Sequence, residues 1–451
     1  MRFVYIVIAY LLTPVWCAVM LWRGIRDRSY WRALDERFGF GPGAAGPESL
    51  WVHAVSVGEV QAAASLVNAL RRLYPELPLV FSTVTPTGAV RARALFGDAV
   101  LVRYVPYDLP GSVRRFFDRI RPRVAIILET EIWPNLYNEC GRRGVPLVLA
   151  SARISPRSVG RYRRLVGLFG ETLSHGIVIA AQSDGDAARF RSIGANPRRT
   201  HVTGNIKFDI ELPADIRVRG AALRRRYARD KLVWVAGSTH AGEEDAVLAA
   251  REHLRSRGVD ALLVIAPRHP ARFDEVAASL RARGVPFVRH ARSEPAPEDT
   301  EVVLVDTLGD LVAFYAAADV AFVGGSLVPV GGHNLLEPAA LGVATLSGPH
   351  VFNAEDVAAR LVDEHAVRIV KDDAELGLAV CELLSDQSAR HSAGEAARRA
   401  VERNRGALER LLALLAPVIE EAKPPATGPA ATGDGAPAGS ASASRLPSGP
   451  A

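Results

Sequence analysis

Three carboxylates and two basic residues stand where short apolar runs give way to turns. Trp51–Val55 is followed by Ser56-Val57-Gly58-Glu59, Val124–Leu128 by Glu129-Thr130-Glu131, and Leu262–Ala266 by Pro267-Arg268-His269-Pro270. A charged side chain at the end of a parallel strand is a common way for an α/β fold to present a reacting group at a crevice. Glu59 has the make-up of a general base. Gly58 permits a tight turn, and the helix expected over Val60–Leu70 favours the ionised carboxylate at its start. The same position equally suits a first-turn glutamate that only complements the helix dipole. Glu129 and Glu131 would point the same way from an extended segment, which is unfavourable unless cations or substrate hydroxyls offset it. The ordinary alternative is acidic capping of the helix that Trp133-Pro134-Asn135 opens. Lys207, in Gly204-Asn205-Ile206-Lys207-Phe208-Asp209, could reach across a cleft to an anion or could simply pair with Asp209.

The second half offers groups suited to phosphate. Arg268, His269 and Arg272 follow one apolar run, and arginine's planar fork grips phosphate in bidentate fashion. Gly324-Gly325-Ser326 and Gly331-Gly332-His333-Asn334 are glycine-rich loops, the second leading into the helical pattern Leu335–Leu341. Backbone amides at such a helix start form an anion site, and Glu337 could accept bonds from ribose hydroxyls. Plain turn geometry is the competing account of both loops. Neither matches a P-loop, and no G-x-G-x-x-G follows the first strand of either half, which disfavours ATPase and dehydrogenase chemistry. Asp184-Gly185-Asp186 reads as helix capping with Ser183. The 11 histidines show no metal-ligand spacing, so no metal is expected.

The elements that must hold these groups are legible in outline. The chain has 451 residues, 49% hydrophobic and 23% charged, which allows two or three domains with ordinary cores. A net charge of +6, spread as scattered arginines, gives no nucleic-acid tail but suits an anionic membrane or phosphorylated substrate. The 3 cysteines lie far apart and suit a reducing compartment. Phe3 to Trp22 carries no charge and has a bilayer-crossing length, with Pro14 a kink point and Arg23, Arg26 and Arg28 after it. The basic flank predicts an uncleaved anchor, spanning or deeply interfacial, with the later domains in the cytoplasm.

Apolar runs at Trp51–Val55, Leu79–Ser82, Val124–Leu128, Leu147–Ala150 and Ile177–Ala180 alternate with helical segments. The pattern pauses at Glu211–Lys231 and resumes with Leu232–Ala236, Leu262–Ala266, Val302–Val305, Val320–Val323 and Ala344–Leu346. Such runs predict parallel strands covered on both faces, hence two consecutive doubly wound α/β units around a cleft. Ala407–Ala416 reads as a last helix that Pro417 ends or kinks, and the Pro/Ala/Gly/Ser stretch from Pro424 to Ala451 as a disordered tail.

Taken together, His53-Ala-Val-Ser-Val-Gly-Glu59, Thr83-Val-Thr-Pro-Thr-Gly88, Glu129-Thr-Glu-Ile-Trp-Pro-Asn135, Gly204–Asp209, Pro267–Pro270, Gly324–Ser326 and Gly331–Glu337 resemble the Kdo (3-deoxy-D-manno-octulosonic acid) transferases, glycosyltransferase family 30. The resemblance runs from the anchor to about residue 415. It implies a GT-B fold of two Rossmann-like domains and an inverting, metal-independent enzyme without a cofactor. Kdo would move from the donor CMP-Kdo to a tetra-acylated lipid A precursor, lipid IVA, at the bacterial inner membrane. The expected division is an anchor and basic flank at 1–28, an acceptor domain at 29–210, a linker at 211–231, a donor domain at 232–421 and the tail at 422–451. Carried over, the resemblance implies Glu59 as general base, with Glu129 and Lys207 stabilising the transition state. CMP would contact Pro267 and Arg268, Leu308-Gly309-Asp310, and Asn334, Leu335, Leu336 and Glu337. The segment 308–310 comes from the resemblance alone. A GT-B enzyme using a UDP-sugar and a membrane-bound scaffold without turnover are the competing readings.

Overall fold

A computed structural model describes residues 2–164, 176–292 and 296–422. The first sheet is built from β1 (Ser49–His53), β2 (Leu79–Thr83), β3 (Leu101–Tyr104), β4 (Pro122–Leu128), β5 (Leu147–Ala152), β6 (Val178–Ala181) and β7 (Thr200–Val202). It is parallel throughout, in the order β3-β2-β1-β4-β5-β6-β7. The second, also parallel, uses β8 (Leu232–Thr239), β9 (Ala261–Pro267), β10 (Phe287–Arg289), β11 (Val302–Leu304), β12 (Val320–Val323), β13 (Ala344–Ser347) and β14 (Val367–Ile369), in the order β10-β11-β9-β8-β12-β13-β14. Every apolar run predicted as a strand is one. The four strands without a predicted apolar run, β3, β7, β10 and β14, are the outer strands of the two sheets. An outer strand has one neighbour and is partly solvated, so β7, β10 and β14 need no continuous apolar run.

Strand order reverses between β1 and β4 in the first sheet and between β8 and β12 in the second. At such a switch point the flanking connections leave in opposite directions and open a crevice at the carboxyl ends. Helix α2 (Val57–Leu73) follows β1, and the loop after β4 leads into α5 (Pro134–Arg143), with α3 (Pro86–Phe96) and α4 (Pro110–Ile120) between. Trp51 anchors this half: fully buried, it packs edge-on to Phe116 and Phe117, while its indole N–H donates to Ser82 Oγ at 2.8 Å. Two apolar clusters cover the faces of each sheet, as parallel sheets require.

Three expectations about organisation change. The segment 211–231 is not an irregular linker, because it contains helix α8 (Ile216–Tyr227); α6 (Pro156–Arg164) and α7 (Asp184–Ser192) precede it. A Cβ at Gly220 of α8 would fall 2.7 Å from Ala316, so the absent side chain lets α8 press against α11 (Leu311–Ala317) of the second half. The last helix also changes sides. After α9 (Glu243–Ser256), α10 (Phe273–Ala282), α12 (Leu336–Leu341), α13 (Glu355–Asp363), α14 (Asp373–Ser385) and α15 (Gln387–Asn404), the chain crosses back. There α16 (Ala407–Glu421) buries Leu411, Leu415 and Ile419 in the cluster formed by Val60, Ala63 and Val67 of α2. Asp209 accepts the N–H of Gly406 at 2.6 Å and of Leu408 at 2.5 Å, tying that crossing down. Pro417 does not end α16, which runs four residues past it. The tail read as disordered, from Pro424 onward, lies outside the described residues.

At the other end, α1 (Arg2–Arg26) is the one helix among the described residues long and apolar enough to cross a membrane. It runs through Pro14, and the capping of α7 by Ser183 stands as predicted.

Candidate active site

A cavity of about 470 Å³ opens over the β1/β4 switch point, lined by Glu59, Glu129, Arg153 and Lys207 of the first half and Asn353 and Asp356 of the second. Local sequence places each. Ser56 caps α2, its Oγ accepting from Glu59 N at 3.3 Å, while the Glu59 carboxylate accepts Ser56 Oγ–H and Val55 N–H, each at 2.8 Å. This reciprocal capping box fixes the carboxylate at the helix start. The structural and the chemical readings of Glu59 therefore share one side chain. Burial, then the neighbouring Glu129, pushes its pKa above the usual carboxylate value.

Glu129 does not sit in an extended segment: its φ is +59°, in the left-handed region that side chains other than glycine rarely occupy. The extended backbone that would point Glu129 and Glu131 the same way is therefore absent, and the two carboxylates take different partners. Glu129 Oε1 accepts from Lys207 Nζ at 2.8 Å, whereas Glu131 accepts from the Trp133 indole N–H at 2.8 Å and its carbonyl from Tyr137 O–H at 2.6 Å. Burial in this apolar setting pushes Glu131 up to about 7. Backbone strain at a non-glycine residue costs on the order of 1–3 kcal/mol, and here it coincides with the cavity.

Lys207 does not pair with Asp209, which is occupied with the start of α16. It reaches Glu129 and, at 3.4 Å, Asp356 in the first turn of α13. Asp356 also accepts from Asn205 Nδ2 at 2.8 Å and pairs with Arg153 at 3.1 Å. Burial pulls the Lys207 pKa down, but the two carboxylates outweigh it and the net shift is upward; Asp356 is lowered in return. Arg153 and Asp356 are not among the residues picked out from sequence. Arg153 follows a strand as Arg268 does, but nothing in the sequence marks Asp356 apart from other first-turn acids.

The second group gathers at the carboxyl rim of the other sheet. Pro267 ends β9, and Arg268 stands exposed beyond it, without an ion-pair partner among the described residues. Its charge reaches Glu337, His333 and His240. Glu337 accepts from Asn334 Nδ2 at 3.0 Å, and burial raises its pKa despite that bond. Leu335 and Leu336 bury their side chains in the core, so they offer a ligand only backbone. Helix α12 is six residues long, which limits its dipole. The segment 308–310 follows β11, adjacent to β9 in the sheet. Leu308 is 73% exposed, Gly309 has φ +93°, and Asp310 pairs with Arg219 at 3.0 Å.

Two phosphate candidates are already engaged. Arg272 pairs with Glu244 at 2.5 Å and with Glu275 at 3.2 Å. The amides of Gly325, Ser326 and Leu327 all donate to Glu243 at 2.7–2.9 Å, and so does His240 N–H at 2.9 Å. The Gly324–Ser326 loop thus cradles an internal, fully buried carboxylate in place of a ligand phosphate. Histidines distant in sequence do meet: His240 and His333 stack with their Nε2 atoms 2.9 Å apart, and His269 approaches edge-on. Burial, then His240 and Arg268, pulls His333 down to about 4, so this ring is neutral at pH 7. Among the described residues no group of three potential ligands is placed to hold a metal.

Two parallel seven-stranded sheets, facing each other across an ionised crevice, define a GT-B architecture. The crystal structure of MurG from Acinetobacter baumannii shares that fold, with a TM-score of 0.51 over 82% of this chain and 100% of its own, at 14% identity. Sequence carries the identification further. Residues 32–210 match the family described as 3-deoxy-D-manno-octulosonic-acid transferase (kdotransferase). The 3-deoxy-D-manno-octulosonic acid transferase of Haemophilus influenzae is 38% identical over 93% of this chain and 99% of its own. That of Bordetella pertussis is 38% identical over 87% of this chain and 94% of its own. The chain belongs to the Kdo transferase family, enzymes that transfer Kdo in lipopolysaccharide biosynthesis.

Proposed function

We propose that this enzyme moves Kdo from CMP-Kdo to a tetra-acylated lipid A precursor, with inversion and without a metal, at the cytoplasmic face of the inner membrane. The observation that carries the reading is the convergence of Glu59, Glu129 and Lys207 on one cavity between the two sheets. A hydroxyl attacking an anomeric carbon needs one base within hydrogen-bond reach and a stabilised leaving group. Glu59 is the base, its basicity raised by burial and by Glu129. The Ser56 hydroxyl can rotate away, which frees a lone pair for the acceptor proton. Lys207, held by Glu129 and Asp356, supplies fixed positive charge to the transition state.

On the donor side, Arg268 has a free guanidinium for phosphate, and Asn334 and Glu337 form a polar pair for the ribose. Leu308-Gly309-Asp310 and the backbone of Leu335 and Leu336 complete the CMP contacts. Fixed cations then do the work of charge compensation that a metal does in other transferases. Inversion results from a single base with no covalent intermediate. The basic, apolar α1 suits an enzyme whose acceptor is a membrane amphiphile.

The test is mass spectrometry of lipid IVA incubated with CMP-Kdo and the full-length protein, with and without a chelator. Kdo mass increments that persist in the chelator and vanish in Glu59→Ala are expected. A folded wild-type protein that adds no Kdo rejects the acceptor or the donor assignment.

A further inference from the structure

Helix α1 has two faces, and one is already taken. Tyr5, Ala9, Thr13, Trp16, Met20 and Gly24 are among its sheltered positions and recur every three or four residues along one side. Tyr5 O–H donates to Asp108 Oδ2 at 2.9 Å, and Trp16 stacks on Tyr107 with ring centroids 5.8 Å apart. At the far end a Cβ on Gly24 would lie 1.7 Å from the Trp31 indole nitrogen, which donates to the carbonyl of Leu21. The opposite side is apolar and bare: Phe3 is 77% exposed, Leu11 71% and Ile25 73%.

From Tyr5 to Gly24 the helix rises by about 28 Å, close to the ~30 Å thickness of the hydrocarbon core. Suppose it stood upright with Arg23 and Arg26 among the cytoplasmic headgroups. Tyr5 would then lie near the far leaflet, together with Asp108 and the loop that carries it. Asp108 is not separable from the enzyme, because it also accepts the N–H groups of Asn135 at 3.0 Å and Leu136 at 2.8 Å at the start of α5. Hydrocarbon does not tolerate irregular backbone of that kind. The docked helix and the spanning helix are therefore mutually exclusive.

Resting on the membrane placement proposed for the enzyme, we propose that α1 is a monotopic anchor. It lies in the plane of the cytoplasmic leaflet, its docked face held by the Tyr5–Asp108 contact and its bare face sunk to the headgroup–acyl boundary. Charge and aromatic placement fit an anionic headgroup layer. The helix carries Arg2, Arg23 and Arg26 with no acidic residue, and Arg26 lies 4.3 Å over the Trp22 ring, a residue suited to the interface. The same contact fixes the working height of the site. Asp108 joins α1 to the helix that succeeds the Glu129–Glu131 loop, so the cavity is held at a set distance from the lipid.

The experiment places a short uncharged epitope before Met1 of the full-length protein, produced in a Gram-negative cell. Right-side-out spheroplasts are treated with protease before and after permeabilisation, and membranes are separated from the soluble fraction. A membrane-bound protein whose epitope is cut only after permeabilisation is the expected result. A membrane-bound protein whose epitope is cut from outside overturns the in-plane placement and leaves the membrane reading intact. Recovery in the soluble fraction overturns the membrane reading and the placement with it.

Discussion

Lys207 and Asp356 lie 149 positions apart in sequence and on opposite halves of the molecule, yet Nζ and Oδ2 are separated by 3.4 Å. With Glu129 at 2.8 Å from the same ammonium, a cation of one half is shared between a carboxylate of each. All three side chains are largely buried, so the charges interact in a medium of reduced dielectric, and removing one leaves the others unpaired.

Lys207→Ala is expected to lower kcat by about 100-fold or more, because both the fixed charge and the setting of Glu129 are lost. Asp356→Asn keeps Lys207 on Glu129 and is expected to cost less. A double-mutant cycle on kcat/KM should give a coupling of about 1–3 kcal/mol between Lys207 and Asp356. Additive effects would show that the contact across the crevice does not bear on the reaction.

The two roles of Glu59 separate by choice of substitution. Glu59→Gln retains an acceptor for the Val55 amide and a polar partner for Ser56, so its melting temperature should stay near wild type. Transfer should still fall by about 10²–10⁴ with the loss of the base. Glu59→Ala should lose the same activity and a further ~1 kcal/mol of stability from the broken capping box. In the proposed role Glu59 acts only when ionised, and its pKa is raised, so kcat/KM should fall on the acid side of an inflection above 4.5. An inflection at or below that value would show that Glu59 is not the group being titrated. Because Glu129 acts on Glu59, the measured inflection belongs to the carboxylates jointly.

Arg268 has no ion-pair partner among the described residues, whereas Arg272 has two. Arg268→Ala should weaken CMP binding, measured by calorimetry, by about 10–100-fold, the range of one charge-assisted hydrogen bond or pair. Arg272→Ala should leave CMP affinity almost unchanged and lower the melting temperature by breaking its pair with Glu244. The reverse ranking would move the phosphate to Arg272.

Glu131 makes stability depend on pH. Its folded pKa of about 7 lies above the ordinary 4.5, so the folded state holds this proton more tightly than the unfolded chain does. The resulting stability is complete below about 4.5 and is lost as pH rises through 7, with an upper bound of about 3 kcal/mol. Glu131→Gln should therefore match wild type in melting temperature at pH 5 and exceed it at pH 8. A constant difference across that range would contradict the raised pKa.

Glu243 should behave as a structural anion. Glu243→Ala strands the amides of His240, Gly325, Ser326 and Leu327 together and should cost about 3–5 kcal/mol in urea denaturation. Glu243→Gln should fall between the two, since one of its polar ends is itself a donor facing donors. A neutral Glu243→Ala would mean that water or a ligand anion takes its place.

Local pattern alone carries the doubly wound halves and the placement of charge at their rims. Parallel inner strands such as Val124–Leu128 are buried on both faces, so they must be written as uninterrupted apolar runs. The rule that charge succeeds such a run picks out Glu59, Glu129 and Arg268 before any coordinate is known. The outer strands Phe287–Arg289 and Val367–Ile369 carry no such mark, because solvent satisfies one side of each. Which charges are already paired emerges from packing across the chain. Arg268 and Arg272 look alike in sequence, and Glu244 and Glu275 alone separate them. The glycines of 324–326 suit a phosphate as well as a carboxylate, and the choice of Glu243 depends on a helix that begins 81 residues earlier. The partner of Lys207 and the docking of Tyr5 on Asp108 are likewise long-range facts. Local pattern fixes where a side chain leaves the backbone, and packing fixes what it meets.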